Sequence, residues 1–257
     1  MAGVDPRRSI PPFARKTFRS WFRHRPLGPG DPVLLFVDTF TNYFSPEVGM
    51  ATVRVLEAAG YSPRLTDRQQ CCALTWISTG QLDAARRILG RTVSALAGSV
   101  PIVGMEPSCT AVLRSDAAEL LSSPAAAEVA GRTRTLAELL TERGWRPPSL
   151  AGETVVAQPH CHHHAVLGWD ADERLLTEAG AVVQRLGGCC GLAGNFGVEK
   201  GHYEVSVAVA DQQLRPAVAA AADDTEILAD GFSCRTQLAD LTERRGRHLA
   251  QLLADHL

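Results

Sequence analysis

The seven cysteines of this chain fall in a pattern that occurs twice. Cys71-Cys72 is followed 37 positions later by Cys109, and Cys189-Cys190 is followed 44 positions later by Cys234. Adjacent cysteines are poor disulfide partners for each other, but a loop carrying both can aim two thiolates at one metal centre. Cys161 adds a fourth thiol to the second set, the number an iron–sulfur cluster usually takes. Gly187, Gly188, Gly191 and Gly194 flank the second pair. Glycines let backbone approach closely, and amides at a helix start stabilise thiolates and an anionic cluster. Phe196 and Phe232 stand where they could wall off solvent. Buried cysteine is a common core residue, which accounts for one isolated cysteine and poorly for four beside glycines. Cys161, Cys189, Cys190 and Cys234 are therefore read as metal or cluster ligands.

The first set is thinner. Cys71, Cys72 and Cys109 supply three thiols, and Asp38 stands where the second half has Cys161. Aspartate binds iron or zinc less well than thiolate at a soft site. A three-cysteine cluster site and an empty, vestigial site both stay open. The run His160-Cys161-His162-His163-His164 invites a zinc reading. Consecutive residues point different ways, so at most two are expected to serve one ion, and the spacing matches no zinc finger. One or two of these histidines are read as hydrogen-bonding groups beside the site and the rest as exposed. Glu199, His202, Tyr203, Glu204 and Ser206, with Arg235 and Gln237, read as helix capping and surface or as contacts to a cluster or partner centre. Their nearness to the cysteines favours contact. The sequence has no P-loop, dinucleotide fingerprint or nucleophile elbow.

With 45% apolar and 21% charged residues over 257 positions, the chain can bury an ordinary globular core. A net charge of −2 implies no general nucleic-acid partner. No apolar run approaches a membrane span, so the chain is not expected to be transmembrane. An odd cysteine count and an N-terminus without a hydrophobic signal core point to a reducing, cytoplasmic compartment. Residues 1–30 form a basic, Pro-rich N-terminal arm, with seven Arg/Lys against the single acid Asp5. Within it Phe13 to Phe22 could form a short basic amphipathic helix, read as a packing arm in preference to a membrane-surface helix.

The rest divides into a first cysteine-rich half, 31–148, and a second, 149–257. Strand-like runs are expected at Pro32–Val37, Tyr61–Asp67 and Pro101–Met105, then at Glu153–Ala157, Ala181–Leu186 and Thr225–Ala229. Helical spacing covers Gly49–Ala59, Gln81–Leu96, Ala171–Glu178 and His202–Leu214. Residues 113–150 read as a helical and loop-like connection. The fold class is α/β, two pseudo-repeated βαβαβ units with largely parallel sheets and the cysteines at the carboxyl ends of strands.

The chain resembles the cysteine-rich (CCG) domain iron–sulfur oxidoreductase family, which includes heterodisulfide reductase B subunits and glycolate oxidase iron–sulfur subunits. The resemblance is strongest to the C-terminal region of FAD-linked oxidase/iron–sulfur fusion proteins. It rests on Asp38-Thr-Phe-Thr41, Cys71-Cys72, Glu106-Pro-Ser-Cys109, His160-Cys161-His162, Gly188-Cys-Cys-Gly-Leu-Ala-Gly-Asn-Phe-Gly197, His202-Tyr-Glu-Val-Ser206 and Gly231-Phe-Ser-Cys-Arg-Thr-Gln237. It covers about residues 31–257 and is specific in the second half. It implies an electron-transfer component with a [4Fe–4S] cluster on Cys161, Cys189, Cys190 and Cys234, a second centre on Cys71, Cys72 and Cys109 being left open. It also implies a partner, an FAD-linked dehydrogenase of 2-hydroxy-acid type or a ferredoxin-type subunit, and peripheral membrane association through that partner. The chain departs from the pattern in three places. Ala73 replaces the glycine of the first Cys-Cys-Gly, Asp38 replaces a cysteine, and Cys234 stands alone where the heterodisulfide branch has Cys-x-x-Cys. These departures favour electron relay over disulfide reduction. A zinc-stabilised or metal-free interaction module of the same fold is the other reading.

Overall fold

The computed structural model describes residues 3–257 and has two all-parallel sheets. Strands β1 (Asp31–Phe36), β2 (Tyr61–Leu65), β3 (Ile102–Gly104) and β4 (Thr133–Arg134) form the first, in the order β2-β1-β3-β4. Strands β5 (Thr154–Ala157), β6 (Val182–Arg185) and β7 (Glu226–Leu228) form the second, in the order β6-β5-β7. The expected α/β class and pseudo-repeat hold, with β5, β6 and β7 in the places of β1, β2 and β3. The helices between the strands are the crossovers that parallel pairing requires.

The repeat runs further than the sequence pattern suggests. Arg247 makes an isolated parallel bridge to Leu228, beside β7 as β4 lies beside β3. Its N–H donates to Ile227 O at 2.8 Å and its carbonyl accepts from Ala229 N at 2.7 Å. A reciprocally capped helix follows in each half, Leu136–Glu142 behind Thr135 and Leu249–Asp255 behind His248. Residues 113–150 therefore contribute a sheet strand as well as helices. A two-residue strand has no readable periodicity, which is why the pattern missed it. The helix expected over His202–Leu214 is broken into Tyr203–Ala210 and Leu214–Ala220. The helix expected from Gly49 starts earlier, at Pro46, the first-turn position that suits proline.

The largest apolar cluster joins the halves. It takes Val33, Leu35 and Val103 from the first sheet, and Val155, Ala157 and Leu228 from the second. The short helix Phe18–Phe22 belongs to the same core, with Phe18 fully buried against Gly49. A Cβ at Gly49 would lie 2.6 Å from the Phe18 ring, so glycine is what lets the arm dock. The basic stretch is thus a packing arm. Two smaller apolar clusters lie under the cysteine loops, one holding Cys72, Ala73 and Cys109, the other Cys190 and Cys234. Among the described residues no helix is long and apolar enough to cross a membrane.

Candidate metal centre

Parallel strands send consecutive loops to the same sheet edge. Adjacent β2, β1 and β3 therefore bring together the loops bearing Cys71-Cys72, Asp38 and Cys109. Adjacent β6, β5 and β7 do the same for Cys189-Cys190, Cys161 and Cys234. All seven cysteines are free thiols. In the first half Cys72 Sγ and Cys109 Sγ lie 2.8 Å apart in a buried contact. Cys71 Sγ accepts the Ala73 N–H at 3.4 Å, and its carbonyl accepts from Thr92 Oγ1 at 2.8 Å, tying the loop to helix Leu82–Ala95. The second half repeats the motif, with Cys189 Sγ accepting the Gly191 N–H at 3.3 Å. Cys190 and Cys234 are buried together in one apolar cluster.

The residue after each pair takes the left-handed conformation, Ala73 at φ 63° and Gly191 at φ 87°. The two positions differ in the space beside them. A Cβ at Gly191 would sit 2.1 Å from Ser206 O, so only glycine fits. The Ala73 methyl is fully buried among apolar neighbours. The Ala-for-Gly departure is therefore tolerated in the first half by packing, against a left-handed cost of about 1–2 kcal/mol.

Crowding and burial raise the thiols of Cys71, Cys72, Cys189 and Cys190. The hydrogen bond from Cys72 and burial push Cys71 far up, and the bond to Cys109 pushes Cys72 well above its ordinary value. Cys189 pulls the Cys190 thiol down, but Cys234 and burial outweigh it and leave Cys190 at about 12. A bound cation reverses that balance, because thiolate is the ligand form.

Cys161 stands at the rim of its set. It is exposed, with Sγ 3.6 Å from His160 Nδ1 and 3.7 Å from His162 Nδ1. Its thiol is raised, by partial desolvation first and then by Cys189. The expectation that at most two residues of this run could face one ion is too strict. His160, Cys161 and His162 bring ligand atoms within 4.8 Å of one another. The reason is a tight turn, His163 N–H to His160 O at 2.8 Å, which stacks the His160 and His162 rings 5.1 Å apart. His160 and His163 are buried and hydrogen-bonded, while His164 is exposed. Asp38, the counterpart of Cys161, spends both oxygens as a helix cap. Oδ1 accepts from Thr41 N at 2.8 Å and Oδ2 from Thr41 Oγ1 at 2.6 Å.

Residues 36–114 match the family described as cysteine-rich domain, CCG. The chain carries a CCG cysteine-rich domain. Aligned over 99% of its length, it is 29% identical to the C subunit of the anaerobic glycerol-3-phosphate dehydrogenase of Escherichia coli K12, covering 67% of that protein. It is 25% identical to lactate utilization protein A of Bacillus thuringiensis, over 86% of this chain and 98% of that one. It is 24% identical to D-2-hydroxyglutarate dehydrogenase of Pseudomonas putida, where 87% of this chain corresponds to 22% of a longer polypeptide.

The CCG match falls on the half whose motif is less complete, and it includes a residue that the sequence left without a role. Glu106 is buried beside Asp38 at the seam between the halves. Burial, then the Asp38 charge, raises its carboxyl to about 7. It accepts from Ser108 Oγ at 3.0 Å and from Phe232 N at 2.8 Å. Phe232 opens the helix that carries Cys234, so Glu106 of the CCG domain caps an element of the other thiol set. Phe232 also stacks on Phe40 at 4.5 Å across the same seam. Phe196 stays 39% exposed, stacks on His202 and walls off little. Behind the second set, His163, Asp172 and Asp230 form a buried polar trio within 4.8 Å, in which burial and Asp230 hold the Asp172 carboxyl well up. Ser206 and Gln237 are fully buried, whereas Glu199 pairs with His202 at 3.4 Å on the surface. Arg235 anchors to the Ala229 carbonyl at 3.0 Å.

Proposed function

We propose that this chain is an iron–sulfur electron-transfer component of an oxidoreductase. Carrying it is the repeated thiol geometry: two sets of clustered free cysteines, each at the carboxyl edge of its own parallel sheet. The donors suit the group. Soft thiolates select iron–sulfur clusters, and the backbone beside each pair turns through a left-handed residue whose N–H reaches a sulfur. Cys189, Cys190 and Cys234 would hold a cluster with Cys161 as fourth ligand, and Cys71, Cys72 and Cys109 a second one. The cluster would supply one-electron transfer. The chain's own residues fix the thiols and exclude water from Cys72, Cys109, Cys190 and Cys234.

In this reading the electrons come from a flavoprotein dehydrogenase, of the 2-hydroxy-acid type, or from a ferredoxin-type subunit. Two supports are the dehydrogenase names of the relatives and the alignment within a longer Pseudomonas putida polypeptide. The compartment is cytoplasmic, at the membrane only through a partner. The test is anaerobic mixing of the iron-loaded chain with a reduced FAD-linked dehydrogenase, followed by EPR. A reduced-cluster signal that grows as flavin reoxidises supports the relay, and flavin reoxidation without such a signal opposes it.

A zinc module is the second reading, favoured by the mixed donor corner of His160, Cys161 and His162. Zinc accepts that nitrogen and sulfur set. Zinc in stoichiometric amount without sulfide would decide for it.

A further inference from the structure

The N-terminal arm reaches the second thiol set. Asp5 N–H donates to Val198 O at 2.8 Å, Lys200 N–H to Gly3 O at 2.7 Å, and Val4 bridges Glu199. Past this contact the side chain of Arg8 enters the protein and is fully buried. Its guanidinium makes four hydrogen bonds. Nε donates to Gly197 O at 2.7 Å, Nη1 to Gln237 Oε1 at 2.7 Å, and Nη2 to Ser206 Oγ at 2.6 Å. Asp240 Oδ2 lies 3.4 Å from Nη1, and the Tyr203 ring centroid 4.7 Å from the guanidinium carbon.

These partners border the loop that carries Cys189-Cys190. Gly197 ends the loop that begins at Cys189-Cys190 and is tied back by its N–H to Leu192 O at 2.8 Å. Gln237 sits one turn beyond Cys234 on helix Phe232–Leu241. Ser206 presents the carbonyl against which Gly191 packs too closely for a Cβ. In the first half the Cys71 carbonyl is held by the Thr92 hydroxyl on its own crossover helix, and the arm touches the start of that loop through Arg19, which donates to the Thr66 carbonyl.

We propose that Arg8 is the positioning residue of the second thiol site, fastening the Cys189-Cys190 loop to the helix that carries Cys234. The planar fork matches these four acceptors in fixed directions, which lysine cannot reproduce. The inference rests on the second set being a working site, but its test reads the metal-free thiols.

The experiment is maleimide labelling of the metal-free full chain, followed peptide by peptide by mass spectrometry, for wild type, Arg8→Ala, Arg8→Lys and Arg7→Ala. Arg7 is half-exposed, pairs with Asp5 and Glu204 and covers the Tyr203 ring at 3.9 Å, but shares none of Arg8's hydrogen-bond acceptors, so it serves as the neighbouring control. Labelling of Cys190 and Cys234 should rise at least tenfold in Arg8→Ala and less in Arg8→Lys. It should be unchanged in Arg7→Ala, and Cys72 and Cys109 should serve as unmoved internal references. Millimolar guanidinium, well below denaturing levels, should restore protection to Arg8→Ala. Should Arg8→Ala not fold, Arg8→Lys carries the test. Unchanged labelling of Cys190 and Cys234 in the folded variants overturns the proposal, as does an equal rise at Cys72 and Cys109. Absence of iron in loaded wild type would sink the cluster reading and leave this result standing.

Discussion

At the residue scale, similar backbone turns after the two cysteine pairs respond differently to the same chemistry. Gly191 has no room for a methyl group, because Ser206 O would lie 2.1 Å away and φ is positive. Gly191→Ala should therefore cost more than about 3 kcal/mol, since left-handed strain adds to the overlap. Ala73→Gly relieves a similar strain but removes a buried methyl, about 0.8 kcal/mol, and loosens the unfolded chain. These effects nearly cancel, so its stability should change by less than about 1 kcal/mol in urea unfolding. Glu106 gives a pH signature. Its folded value of about 7 lies above the ordinary 4.5, so the folded state binds this proton more tightly. The stability it contributes is complete below about pH 4.5 and is lost as pH rises to about 7. Glu106→Gln keeps an acceptor for Phe232 N–H and should remove that part of the slope, measured by denaturant unfolding of the metal-free chain. An unchanged slope would contradict the assignment. The cysteines were legible in the sequence because an adjacent pair followed by a lone cysteine occurs twice. Glu106 and Asp38 were harder to read. One acts across a contact distant in sequence, and the other looks like a ligand but caps a helix.

At the element scale, six strands and their parallel sense followed from short apolar runs between helical spacings. The fourth position of each sheet did not, because β4 has two residues and Arg247 makes one bridge. Its clearer sequence mark is the cap that follows, Thr135 with Glu138 three residues on. Thr135→Ala should cost about 1 kcal/mol. A loss below about 0.3 kcal/mol in thermal unfolding would mean the cap is not formed. The helix broken near Gln213 was misread because Val205 to Leu214 is apolar enough to look continuous. In the structure the Gln213 side chain turns back to accept the Gly187 N–H at 2.8 Å, bracing the second cysteine loop.

At the scale of the whole molecule, the repeat looks like two units, but the main core is shared between them. Glu106 and Phe40 both reach Phe232 across the seam. Unfolding should then be one cooperative transition, with far-UV circular dichroism and tryptophan fluorescence coinciding. Of the four tryptophans, Trp76 packs on the first-half cluster and Trp169 lies in the shared core, so two separated transitions would contradict a shared core. The central claim is that the thiols hold iron and sulfide. The most direct test is metal and acid-labile sulfide per chain after anaerobic purification, in wild type and in Cys190→Ser. About four iron with matching sulfide in wild type, or roughly double with both sets loaded, and a loss of one cluster's worth in Cys190→Ser is the expected result. Folded wild-type protein with zinc alone, or with no metal, would contradict it.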